Sequence, residues 1–244
     1  MSEPRTRVVE DAQALNRAGA DLAARVIAAE PAASVVAATG RTPMGLYADL
    51  SARCRSGQLD ASNITAFQLD EYLGLEDGDR RSLLGWLRRS FLDPLRVPEE
   101  RVVRLPLDGD LDEACAAFDD AVDMRGGLDL AILGLGPNGH LGFNEPPSSR
   151  WAPTRGVELS PITIQANANY WGDDADVPAR AVTMGMAQLL SARTIVLVVS
   201  GEGKRTILRR ALEGPIDPRV PASFLRAARG EVTVIVDRAA WGGG

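Results

Sequence analysis

The stretch LGLGPNGHLGFNEPP, residues 133–147, carries the only histidine of the chain, His140, five positions before Glu145. Imidazole moves a proton near neutral pH, and a carboxylate in the same loop can share that task. The stretch also spells Gly134-x-Gly136-x-x-Gly139, the glycine spacing of a dinucleotide loop. That reading needs a helix to open among the glycines, with a pyrophosphate on its N-terminus. Gly142, Pro146 and Pro147 follow instead, and they prevent a helix of normal length. The glycines, Gly136 among them, are better explained as letting the backbone pass close to a ligand. A packed histidine without chemistry is the competing reading.

Three further stretches hold reactive or anion-binding side chains. In TGRTP, Thr39, Gly40, Arg41 and Thr42 precede Pro43, a residue suited to the first position of a helix. The unpaired N–H groups of a helix start hold phosphate or carboxylate, and two hydroxyls and a guanidinium add to them. Otherwise Thr42 simply caps the helix. In LDEYLGL, Asp70 and Glu71 are adjacent. In an extended segment they point to opposite sides, so one enters a cleft and the other is solvated. Flanked by Leu69 and Tyr72, the first is partly desolvated, and its raised pKa makes it a better base. A turn acid explains the stretch equally well. In SGEGKRT, Lys204 stands at a helix start, where a cation opposes the helix dipole. An anionic ligand offsets that cost; a solvated lysine is the alternative.

Each of the four stretches follows a predicted strand. Short runs rich in valine and isoleucine mark strands at 34–38, 64–68, 128–133, 194–199 and 232–236. Leu15, Ala18, Leu22 and Val26 form one face of a helix within 10–29. Helices are also expected from Pro43 to Gly57 and at 81–92, 110–124, 204–212 and 221–228. This alternation implies an α/β fold: a doubly wound, mostly parallel, Rossmann-like sheet with helices on both faces. Ligands of such sheets sit beyond the carboxyl ends of the strands, which is where all four stretches fall. No repeat or linker interrupts the chain, so residues 1–244 are expected to form one domain. The glycine-rich tail is expected to fray. Segments 70–90 and 145–175 are candidate lids, and Trp151, Tyr170 and Trp171 are expected to pack rather than line a pocket.

The formal charge of −6 argues against nucleic acid as a partner. Cys54 and Cys115 have no metal-ligand spacing, and a reducing compartment fits them. The N-terminus lacks the apolar core of a signal peptide, and no apolar run reaches membrane-spanning length. A soluble cytoplasmic protein without membrane contact is expected.

Taken together, VVAATGRTPMGLYADL, FQLDEYLGL, LGLGPNGHLGFNEP and VSGEGKR resemble the glucosamine-6-phosphate deaminases, within the group that includes the 6-phosphogluconolactonases. The likeness covers nearly the whole chain, and the FNEP ending resembles the deaminase branch. It implies an enzyme that opens the ring of glucosamine 6-phosphate, isomerises aldose to ketose and releases ammonia to give fructose 6-phosphate. By the same resemblance, Asp70 moves the proton between C2 and C1. His140 is the ring-opening acid and base, supported by Glu145. Thr39, Gly40, Thr42 and Lys204 cradle the phosphate. The substrate supplies its own carbonyl and amine, so neither a metal nor another cofactor is expected.

Three departures from the family pattern stand out. Asn138 occupies a place where the family usually has an aspartate of the histidine–glutamate relay. An amide supports a charged imidazole less well, so slower ring opening, or a substrate needing less of it, is expected. Asn169 stands where an arginine contacts the phosphate; Arg41 is a replacement from the opposite loop, or the substrate lacks a phosphate. Ser148, Ser149 and Arg155 match an allosteric anion site, but Val157 replaces its usual lysine. With the early C-terminus, this points to a monomer or small homo-oligomer without amino-sugar-phosphate activation. Two other outcomes stay open: a specialised isomerase/deaminase for a different, unphosphorylated aminosugar, and a non-catalytic sugar-phosphate-binding protein.

Overall fold

The computed structural model describes residues 3–76, 78–171 and 176–242. Both candidate lid segments include positions outside this range (77 and 172–175), and so does the end of the tail (243–244).

The chain runs β1 (Arg5–Val9), α1 (Ala12–Ala29), β2 (Ser34–Ala37), α2 (Met44–Arg55), β3 (Thr65–Phe67) and β4 (Asp70–Tyr72). Next come α3 (Leu83–Leu87), a π-helical turn (Arg88–Leu92), α4 (Asp93–Leu95), β5 (Val102–Val103), α5 (Leu111–Met124) and β6 (Leu130–Gly134). Then follow β7 (Arg155–Glu158), α6 (Pro161–Trp171), β8 (Arg180–Thr183), α7 (Met186–Ser191) and β9 (Thr194–Val199). The last elements are α8 (Arg205–Leu212), a 3-10 segment (Pro221–Ala227), β10 (Glu231–Asp237) and α9 (Arg238–Trp241).

Seven strands form a parallel sheet in the order β1-β10-β9-β6-β2-β3-β5. Its central strands are buried on both faces, which explains their unbroken apolar runs. One core layer packs α1 and α2 with Phe91, Leu92 and Leu95. The other packs α5, α7, α8 and the Pro221–Ala227 segment. From β2 the chain winds outward through β3 and β5, then returns to β6 on the other side of β2. That reversal opens a crevice between the carboxyl ends of β2 and β6, the place where such sheets take ligands.

A second sheet, β4-β8-β7, is antiparallel and sits beyond this edge. Its first strand is only two residues past β3. Sequence patterning reads LDEYLGLEDGDRRS, 69–82, as a polar segment, because β4 holds no apolar run. What makes it a strand is pairing with β8, Asp70 opposite Thr183.

Other differences are local. Leu22 and Val26 lie at the margin of the buried face of α1, whose centre is Leu15, Ala18, Ala23 and Ile27. Residues 221–227 wind as a 3-10 helix rather than an α-helix. Their backbone is held by tertiary contacts: Ala222 donates to the Gly139 carbonyl, and Ser223 Oγ accepts from the Asp217 N–H.

Candidate active site

A cavity of about 150 Å³ lies over the crevice and is lined by residues of all four stretches. The loop after β2 contributes Thr39, Gly40, Arg41 and Thr42, and β4 contributes Asp70 and Tyr72. The loop after β6 contributes Gly136 and His140, and the loop after β9 contributes Lys204. The strand-end rule therefore brings together residues up to 165 positions apart.

Asp70 is 6% exposed and lines the cavity, and among the described residues Gln68 Nε2 reaches its backbone carbonyl rather than its carboxylate. Burial, helped by the charge of Glu71, pushes its pKa up to about 8. A buried carboxyl that prefers its proton yet faces a cavity is suited to general base work. Glu71 is not the solvated partner expected of it. It is 2% exposed and turns away from the cavity to accept hydrogen bonds from the start of α3.

His140 is also buried, and its ring packs across Gly136. A Cβ at Gly136 would lie 2.1 Å from the imidazole Nε2 and Cδ2, so only glycine permits this ring position. The loop opens no helix, and its glycines serve the histidine rather than a pyrophosphate. Nδ1 lies 3.6 Å from Glu145 Oε1 and 3.4 Å from Thr163 Oγ1, which leaves Nε2 towards the cavity.

Glu145 sits behind the histidine rather than in the cavity wall. It accepts from Asn138 Nδ2 at 2.5 Å and from Ser160 Oγ at 3.0 Å. Burial alone would raise its pKa. The attraction of His140 and the bonds from Thr163 and Asn138 outweigh burial and hold it at about 2. Asn138 reaches His140 only through the backbone, its Oδ1 accepting the His140 N–H at 3.2 Å. Its amide therefore steadies the carboxylate and not the ring. The loop is pinned to β8 by Phe143, whose N–H reaches Thr183 Oγ1, and by Asn144, whose amide reaches the Met184 carbonyl.

At the other end, α2 begins after Pro43 with no side-chain cap, so Thr42 does not close that helix start. Lys204 is half-buried with Nζ on the Leu135 carbonyl at 2.7 Å, and burial lowers its pKa. Arg41 donates to the Asn169 carbonyl at 2.7 Å and lies over the Tyr170 ring at 5.5 Å. The Asn169 side chain turns back onto the carbonyls of Gln165 and Ala166 and does not line the cavity.

Sequence reasoning missed one wall. Tyr72, Leu83, Trp86, Phe143, Asn167 and Tyr170 line the cavity. Tyr170 is therefore not simply packed, contrary to expectation. Trp151 does neither, being 65% exposed over Arg150. Trp171 packs against Trp86, as expected. The run ANANYW held the signal, but its spacing on α6 shows nothing until β4 is known to face it. Arg155 is occupied within the chain, donating to Asn144 Oδ1 and Ser148 Oγ.

The sequence model of the family described as glucosamine-6-phosphate isomerases/6-phosphogluconolactonase matches residues 8–234. The chain belongs to this family. A glucosamine-6-phosphate deaminase of Halothermothrix orenii is 35% identical over 238 residues, which is 97% of this chain and 98% of that one. A solved structure described as a monomeric glucosamine-6-phosphate deaminase superposes with a TM-score of 0.92 at 35% identity. That match covers 98% of this chain and 99% of that one. The 6-phosphogluconolactonase of Leishmania guyanensis shares the fold, with a TM-score of 0.77 at 22% identity over 99% of both chains. Within the family, the expected doubly wound α/β architecture and the resemblance read from the four stretches both hold. Among the described residues no helix is long and apolar enough to cross a membrane, and no cluster of His, Cys, Asp and Glu is placed to hold a metal ion.

Proposed function

We propose that the chain converts glucosamine 6-phosphate to fructose 6-phosphate and ammonia, working as one isomerase/deaminase unit without metal or redox cofactor. The observation that carries this reading is the pair of oppositely tuned carboxylates around one cavity. Asp70 holds its proton to about pH 8, whereas Glu145 stays ionised behind His140.

His140 takes the proton of the C1 hydroxyl and returns one to the ring oxygen, opening the pyranose to the aldehyde. The Glu145 charge steadies the imidazolium formed between these steps. Asp70 then removes the C2 proton and delivers it to C1. The substrate's ammonium gives up one proton, O1 gains it, and C2 becomes an iminium. Water adds at C2 and ammonia leaves, so water is consumed and one ammonium is formed. The uncapped start of α2, Thr39, Thr42 and Lys204 hold the 6-phosphate. Arg41 supplies a second cation from the same loop, in place of a side chain at 169.

Purified protein with glucosamine 6-phosphate is expected to release ammonia and fructose 6-phosphate in equal amounts. Failure to exceed an Asp70→Asn control would remove the reading. The turned-away Asn169 side chain favours one alternative, an aminosugar without phosphate; a panel with and without the 6-phosphate separates the two. We further propose a cytoplasmic enzyme acting as a monomer or dimer. Arg155 is held by Asn144 and Ser148, which supports the absence of amino-sugar-phosphate activation.

A further inference from the structure

We propose that Glu71 is a positioning residue for the proton transfer assigned to Asp70: its buried carboxylate ties β4 to the first turn of α3 and fixes a negative charge beside the cavity acid. This rests on the function proposed above. Glu71 accepts five hydrogen bonds: from Gln68 Nε2 at 3.1 Å, Tyr72 N at 3.0 Å, Ser82 Oγ at 2.9 Å, Leu83 N at 2.8 Å and Leu84 N at 2.9 Å. All five donors are neutral. They make an ionised carboxylate tolerable at 2% exposure without placing a counter-charge on it.

The adjacent Asp70 has no such donors. Of two neighbouring buried acids, the one with donors takes the charge and the other keeps its proton. Asp70 is thereby made a stronger base, which helps it take a proton from carbon. Glutamine could not replace Glu71 in kind, because its NH2 group would face N–H donors that need an acceptor. The tie also sets the cavity wall, since Leu83 and Trp86 of α3 line it.

The titratable and charged groups around Asp70 are few. Glu71 and Tyr72 share its strand, and Tyr47 of α2 lies behind it. Arg41, His140, Tyr170 and Lys204 face it from the other elements of the cavity. Glu71 is the acid that adds to burial in raising its proton affinity.

The test is the pH profile of ammonia release by the full chain carrying Glu71→Gln, Glu71→Asp or Ser82→Ala. In Glu71→Gln the acidic limb of kcat/KM is expected to move down by roughly one pH unit, with a lower kcat plateau. Glu71→Asp keeps the charge but cannot reach Leu83 and Leu84, so the limb stays in place while KM rises. Ser82→Ala removes one neutral donor and leaves the limb in place. A Glu71→Gln enzyme with an unmoved limb and only a lower Tm overturns the proposal. So does a Glu71→Asp limb displaced as far as that of Glu71→Gln. Should Glu71→Gln not fold, Glu71→Asp still decides, because it breaks the tie and keeps the charge. A wild-type chain that releases no ammonia defeats the proposed function instead. The titration of Asp70 is then read from stability against pH, in wild type and Glu71→Asp, and a shift between them overturns this inference.

Discussion

Two carboxylates, 75 positions apart, serve the cavity differently: Asp70 lines it, and Glu145 stands behind His140. Asp70 opens β4 after a two-residue link from β3 and meets only burial and a like charge. Glu145 meets Asn138 and His140 of its own loop and Ser160 from beyond β7. Burial raises the pKa of both, yet the outcomes are about 8 and about 2. Depth alone therefore does not decide protonation; the donors do. One acid becomes a proton carrier and the other a standing charge for the imidazole.

The largest expected effect breaks the comparison at Asp70. Asp70→Asn should lower kcat by about a thousandfold or more, because the amide cannot accept the C2 proton. Stability should move the other way. The folded pKa lies above the unfolded value near 3.8, so native stability is fullest below that value and declines as pH rises through about 8. Asp70→Asn removes that decline. Thermal melts at pH 8 should show the variant more stable than wild type, by at most on the order of 5 kcal/mol.

Glu145→Gln addresses the other acid. Its folded pKa is lowered, so it contributes stability above about 4.5 that is lost as pH falls towards 2. The variant should be less stable at pH 7, by at most roughly 3 kcal/mol in denaturant titrations. Ring opening, measured by trapping the aldehyde, should slow by about a hundredfold. Next in size is Gly136→Ala, whose methyl collides with the imidazole; kcat should fall roughly tenfold or more, as a 1 Å misplacement does. The smallest effect sharpens the contrast: Asn138→Asp sets a second carboxylate 2.5 Å from Glu145. Like charges at that distance share a proton. The alkaline limb of kcat/KM should rise by about one pH unit in steady-state assays.

These differences also mark how far the sequence could be read. The central strands were legible because burial on both faces writes an unbroken run, as in TIVLVV at 194–199. Asp70, His140 and Lys204 were legible because each lies in the stretch that follows a predicted strand. The short strands β4, β7 and β8 were not, since DEY, RGVE and RAVT hold no apolar run and their pairing is long-range. The fate of Glu71 was hidden for the same reason: its donors at 82–84 lie across a turn. The aromatic wall from α6 was hidden too, since Tyr170 meets the cavity only through the packing of α6 against β4 and α3. Asn138 was visible as a departure, but only geometry shows that its amide holds Glu145 and not the ring.

The most direct measurement is a carbon-13 NMR titration of the side-chain carboxyls, assigned with Asp70→Asn and Glu145→Gln. One signal should titrate near pH 8 and vanish in Asp70→Asn, while the Glu145 signal stays ionised down to about pH 3. An Asp70 signal titrating near 4, alongside that of Glu145, would contradict the division of labour described here.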